Sequence, residues 1–153
     1  KWVTFEGGIR VPFIVRGPGV KPNSFCNVPV VGWDILPTIA DIVGYKKTLP
    51  DDIDGGSFRS LLENEGRGSV QRPNPGLVFH RYNDGYPHTS IRVGDYKLVK
   101  FWKEDKQLLF NLKDDLGETK DLAKAQPKKA RELHKQLMDY LKSVDSDVLT
   151  LYD

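Results

Sequence analysis

The sequence predicts an α/β fold in two parts: a strand and a helix at the edge of a larger α/β domain, then a small subdomain of antiparallel sheet with a packed C-terminal helix. Three observations lead there. The apolar run Val11-Pro12-Phe13-Ile14-Val15 stands between Gly7-Gly8 and Gly17-Pro18-Gly19, the pattern of a short buried strand between turns, and an amphipathic stretch follows it. Four later segments have strand composition with partial alternation, and near the end apolar residues recur every three or four positions.

In chain order, Pro12 confines the first strand to its start or to a sheet edge. In the stretch from Trp33 to Gly44, Asp34 can cap a helix, Pro37 falls within the tolerated first turn, and Gly44 ends it. Leu36, Ile39, Ala40 and Val43 share the face expected to be buried. From Glu63 to Pro75 the chain is rich in Gly, Asn, Arg and Pro and reads as an exposed connector. Residues 1–62 are therefore expected to end the large domain, 63–76 to connect, and 77–153 to form the subdomain. Within it, Leu77-Val78-Phe79-His80, Thr89-Ser90-Ile91-Arg92-Val93, the six residues from Tyr96 to Phe101, and the five from Leu108 to Leu112 are the expected strands. Gly94-Asp95 marks a tight hairpin turn between the middle two. Behind Pro127, the stripe Ala130, Leu133, Leu137, Tyr140, Leu141 and Val144 should lie across the sheet, with the helix lysines as its solvated face.

Composition narrows the function. With 39% apolar residues in 153, the chain can build a real core, so disorder is not expected. The 23 basic and 21 acidic residues leave a charge of +2, too weak a field to call for nucleic acid or membrane as a partner. A single cysteine, Cys26, excludes an internal disulfide and a multi-cysteine zinc site, and without a nearby basic or histidine neighbour it is expected to be an inert packing residue. His134, amid a charged helix face, is expected at the surface.

Charge and glycine concentrate in Lys1-Trp2-Val3-Thr4-Phe5-Glu6-Gly7-Gly8-Ile9-Arg10-Val11-Pro12, directly before the expected strand, where α/β folds place ligands. Gly7-Gly8 permits close backbone approach. Glu6 and Arg10 are expected to be structural, satisfying each other or backbone groups. A second cluster, His80, Arg81 and Tyr82 before Asn83-Asp84-Gly85, places polar and aromatic groups in a loop after a strand; it can serve polar substrate recognition or be a surface turn with a partly buried histidine.

The first stretch resembles the second signature of the sulfatase family, Lys-x-x-x-(Tyr or Phe)-Glu-Gly-Gly-x-Arg-x-Pro, within the alkaline-phosphatase superfamily. The residues that follow resemble the family in order: Phe13 to Gly19, then Asp34 to Gly44 as its Asp-Leu-Leu-Pro-Thr helix, then Asp54-Gly55-Gly56-Ser57-Phe58 with Leu61-Leu62. Further on, Ile91-Arg92-Val93-Gly94-Asp95-Tyr96-Lys97-Leu98-Val99, Leu109-Phe110-Asn111-Leu112 and Asp114-Asp115-Leu116-Gly117-Glu118 resemble the subdomain that ends these enzymes.

The resemblance implies the C-terminal part of a sulfatase (arylsulfatase type, a sulfuric ester hydrolase), cleaving sulfate esters with a formylglycine nucleophile beside calcium. It also implies that both are supplied before Lys1, since Cys26-Asn27-Val28-Pro29 does not fit Cys/Ser-x-Pro-x-Arg and no metal ligand is expected within this chain. Lys1 is the one catalytic position that carries over: in the family this lysine contacts sulfate, and an ammonium is a compact charge able to stabilise anionic oxygens. His80, Arg81 and Tyr82 would help select the organic part of the ester. The implied partners are a sulfated carbohydrate or other sulfate ester and the remainder of the same polypeptide. The implied compartment is periplasmic, secreted or lysosomal, and these residues alone are expected to be inactive. Two alternatives stay open: a phosphodiesterase or phosphonate hydrolase of the same superfamily, and a non-catalytic module for glycan binding or assembly.

Overall fold

A computed structural model describes residues 3–82 and 85–152. The chain divides into two compact units: residues 1–12 with 76–153, and residues 13–75.

The first unit is built on a four-stranded antiparallel meander, β1 Leu77–Arg81, β2 His88–Val93, β3 Tyr96–Phe101 and β4 Lys106–Asn111, in the order β1-β2-β3-β4. Strands β2 and β3 close on the pair Val93↔Tyr96. The two-residue turn has Gly94 at φ +60° and Asp95 outside the positive region, which makes Gly-Asp the fitting order: a II′ turn wants glycine first. The alternation of strands then assigns two faces. On one, the register row Val78, Ile91, Leu98 and Leu109 meets helix α4, Pro127–Ser143, whose Ala130, Leu133, Leu137 and Leu141 are buried against it. Pro127 opens this helix, where its missing N–H costs nothing. Each fully buried leucine of this stripe stabilises by about 2 kcal/mol. The helix ends at Ser143, so Val144 falls outside it and is exposed, and the short helix Val148–Leu151 supplies Val148 to the core instead.

The opposite face carries Val99, Phe101 and Phe110, with Leu112 beyond the end of β4. It is covered by residues 3–9, which include the short helix α1, Glu6–Ile9. Phe5 seats its ring 6.0 Å from Phe110 and 6.3 Å from Phe101. The start of the chain thus belongs to the same unit as the sheet, although about sixty-five residues separate them in sequence.

The second unit holds helices α2, Ile35–Ile42, and α3, Arg59–Glu63. Asp34 does not cap α2 in the expected way. Its carboxylate is wholly buried and accepts from the amides of Val31 (2.8 Å) and Gly56 (3.0 Å) and from both Nε and Nη2 of Arg72 (2.8 and 2.5 Å). Arg72 also donates to the carbonyl of Pro29 at 2.9 Å. The stretch read as an exposed connector is therefore tied into this unit through Arg72.

Four expectations are corrected. Residues 11–15 form no strand: Val11, Phe13 and Ile14 are exposed, Ile14 to 90%, because no described segment offers them a ladder. The face of α2 expected to be buried is also exposed at Leu36, Ile39 and Val43, while Pro37, Thr38 and Ala40 are buried; periodicity identifies an apolar face but not what covers it. Cys26 is exposed, not packed, in a stretch without regular structure. His134, expected at the surface, is half-buried with Nδ1 wholly enclosed, and desolvation lowers its pKa.

Candidate functional site

Lys1 lies outside the described residues; what the structure defines is how the residues after it are held. Thr4 is buried, and both of its backbone groups are bound by side chains of β2. Its N–H donates to Nε2 of His88 at 3.1 Å, and its carbonyl accepts from Oγ of Ser90 at 3.4 Å. His88 and Ser90 are two residues apart, so alternation aims both at the same face. The other ring nitrogen of His88, Nδ1, donates to the carbonyl of Tyr86 at 2.8 Å. Since a neutral imidazole has one donor and one acceptor, these two bonds fix the tautomer. Burial, aided by the charge of Arg81, lowers the pKa of His88 against the pull of the Tyr86 carbonyl, so it is neutral near pH 7.

Two residues on, Glu6 enters a buried ionic cluster. Its N–H donates to Oε2 of Glu118 at 2.6 Å, and its own Oε1 accepts from Nζ of Lys97 at 2.9 Å. Lys97 lies 2.8 Å from Oε1 of Glu118, and Nη1 of Arg92 lies 3.6 Å from Oε2 of Glu6. Lys97 and Arg92 are partners across β2 and β3, and the Lys97 side chain is wholly buried. Two cations and two carboxylates balance, as burial of charge requires. Glu6 is thus structural, as expected, but its partners are Lys97, Arg92 and Glu118; Arg10 is exposed. Gly8 serves this packing: a Cβ there would stand 2.1 Å from the carbonyl oxygen of Val3. Gly7 has open space around it, so the requirement rests on the second glycine.

The trio His80, Arg81 and Tyr82 does not converge. His80 lies on the α4 face, where its Nδ1 sits 2.6 Å from Oγ1 of Thr89, a hydroxyl that also accepts from Nε1 of Trp102 at 2.8 Å. Its ring meets Tyr82 edge-on at 4.0 Å, and burial lowers its pKa. Arg81 points to the opposite face, paired in register with His88, on the side covered by residues 3–9. It forms no ion pair among the described residues.

His88, Ser90, Arg92, Lys97 and Glu118 were not singled out as site residues from sequence. Lys97 reads as an ordinary polar position in an alternating strand. The available signal was the simultaneous presence of Arg92, Lys97 and Glu118 in the resembling segments, which points to a common partner.

Among the described residues no group of three or more His, Cys, Asp or Glu side chains gathers as metal ligands. The buried carboxylates Glu6, Glu118 and Asp34 are already neutralised by Lys97, Arg92 and Arg72, so these residues do not fit a calcium site. Nor does any described helix have the length and apolar character to cross a membrane.

The family model for the C-terminal region of N-sulphoglucosamine sulphohydrolase matches residues 1–147. Arylsulfatase K of Danio rerio is 31% identical over 144 residues, covering 90% of this chain and 27% of that protein. A sulfatase of Formosa agariphila is 36% identical over 138 residues, covering 83% and 25%. Among solved structures, a complex with the substrate D-glucosamine-2-N,6-O-disulfate superposes with a TM-score of 0.65 at 28% identity, over 84% of this chain and 27% of that one. The chain spans about a quarter of the length of these relatives. With nearly every residue inside one family model and with relatives above 30% identity, this chain belongs to the sulfatase family and is a C-terminal portion of it.

Proposed function

We propose that this chain completes the sulfate pocket of a sulfate-ester hydrolase acting on sulfated carbohydrate, with Lys1 as the ligand to sulfate. The observation that carries the reading is the double anchorage of the signature: Thr4 on His88 and Ser90, and Glu6 on Lys97 and Glu118. A segment held this tightly three residues after Lys1 is what a charge-positioning device requires, because an electrostatic contact stabilises a transition state only if it is preorganised. The nucleophile, read as formylglycine, and calcium with its ligands are assigned to residues outside this sequence. The same residues would cover residues 11–15 and the outer face of α2, and export to the periplasm, the exterior or the lysosome goes with the reading.

The carbohydrate class is supported by the relative solved with a disulfated glucosamine. Arg81 is the member of the trio suited to an anionic or hydroxyl-rich part of such a ligand, because it lies on the same face as residues 3–9, whereas His80 is engaged by Thr89 behind the sheet. The expected result of Arg81→Ala in the intact protein is a raised KM for a sulfated saccharide with kcat nearly kept, and His80→Ala should change KM less; equal effects in initial-rate assays would remove this ordering.

Lys1→Ala in the intact protein tests the central assignment. Turnover of a sulfated glucosamine should fall by about 10²–10³-fold, the cost typical of deleting one preorganised charge contact. Unchanged kcat and KM would remove Lys1 from the chemistry.

A further inference from the structure

We propose that His88 is a positioning residue for the sulfate-binding lysine: as a neutral ring acceptor it clamps the backbone of Thr4, and so fixes where the chain delivers Lys1. The proposal rests on the assignment of Lys1 to sulfate. His88 sits wholly buried at the start of β2, and no described contact gives it a substrate, metal or proton-transfer role. Its two bonds run in series. The Tyr86 carbonyl takes the Nδ1 proton, which leaves the Nε2 lone pair for the Thr4 amide. Ser90 completes the clamp on the Thr4 carbonyl. Together the two side chains do for Thr4 what a neighbouring strand would do, binding both N–H and C=O, and they do it from the flat face of a sheet. Phe5 reinforces the same placement, its ring lying 6.2 Å from that of His88. A merely structural residue at this position would need only to fill space among Phe5, Tyr86 and Phe101. The acceptor aimed at one amide, three residues from the lysine, is what calls for a histidine.

His88→Phe preserves the ring and deletes the acceptor, while His88→Gln restores an acceptor. In the intact protein, His88→Phe is expected to lower kcat for a sulfated glucosamine by about 10²-fold, the cost of a misplacement on the order of 1 Å, with KM nearly unchanged. Hydrogen exchange at the Thr4 amide should accelerate in the same variant. His88→Gln should recover most of both. Unchanged Thr4 exchange or unchanged kcat in folded His88→Phe overturns the proposal. So does a kcat loss of the same size when His88→Phe is added to Lys1→Ala, because a residue acting through Lys1 has nothing left to position there. If Lys1→Ala alone leaves turnover unchanged, the sulfate assignment fails and takes the positioning role with it, while Thr4 exchange still reports the clamp, so the two failures are told apart. Should His88→Phe not fold, Ser90→Ala loosens the other half of the clamp; lowered kcat with faster exchange across residues 3–6 supports the proposal, and wild-type behaviour in both overturns it.

Discussion

Replacing Lys97 by methionine should destabilise the intact protein by about 3–5 kcal/mol, the range for removing one partner of a buried ion pair. Methionine matches the lysine stem in length, so the space remains filled and the loss is electrostatic. Glu6 and Glu118 would then face each other in a buried site with Arg92 as their remaining cation, 3.6 Å from one of them. An exposed pair such as Lys135 with Asp139 on α4 provides the contrast, since its removal should cost less than about 1 kcal/mol. Chemical denaturation of the two single variants measures both. Adding Glu118→Gln to Lys97→Met should recover part of the loss, because it removes one of the stranded charges while keeping a group able to accept from the Glu6 amide. A Lys97→Met variant within 1 kcal/mol of wild type would mean that the cluster is hydrated or rearranges, and that the signature segment is held mainly by Phe5 and by the bonds of His88 and Ser90 to Thr4.

The same cluster shows what was legible in the sequence. The four strands, the hairpin turn at Gly94-Asp95 and the stripe on α4 were readable because each depends on local periodicity and turn chemistry. The two-sided use of the sheet was not. Alternation says that Lys97 and Leu98 point to opposite faces, but only the register with Arg92 and the return of residues 3–9 onto that face make Lys97 a buried ion. The trio His80-Arg81-Tyr82 is divided for the same reason: His80 and Tyr82 meet on one face while Arg81 lies on the other. Residues 11–15 and the face of α2 read as apolar and as the edge of a larger domain, but not as exposed or, for 11–15, as lacking a strand, because composition records the need for a partner and not its location.

Arg72→Leu should also cost about 3–5 kcal/mol near neutral pH, and the loss should shrink on acidification. Asp34 is wholly buried, and burial by itself pushes its pKa up. The bonds from Arg72 and from the amides of Gly56 and Val31, with the charge of Arg72, outweigh that and hold the carboxyl below its ordinary range. A carboxyl lowered in the folded state contributes stability above its unfolded pKa, and that contribution is lost as pH falls through the folded value. Without the guanidinium the balance reverses. Burial then dominates, the folded state takes up a proton more readily than the unfolded chain, and lowering pH relieves the penalty of an unpaired charge. The gap between wild type and Arg72→Leu should therefore be widest near neutrality and clearly smaller below about pH 4, as urea midpoints at the two pH values would show. A gap that does not change with pH would assign the role of Arg72 to its bond with the Pro29 carbonyl and to packing. Asp34→Asn separates these readings further: it gives up the charge and keeps only one of the two acceptor oxygens, so its stability should lack the part of the acid dependence that wild type owes to Asp34.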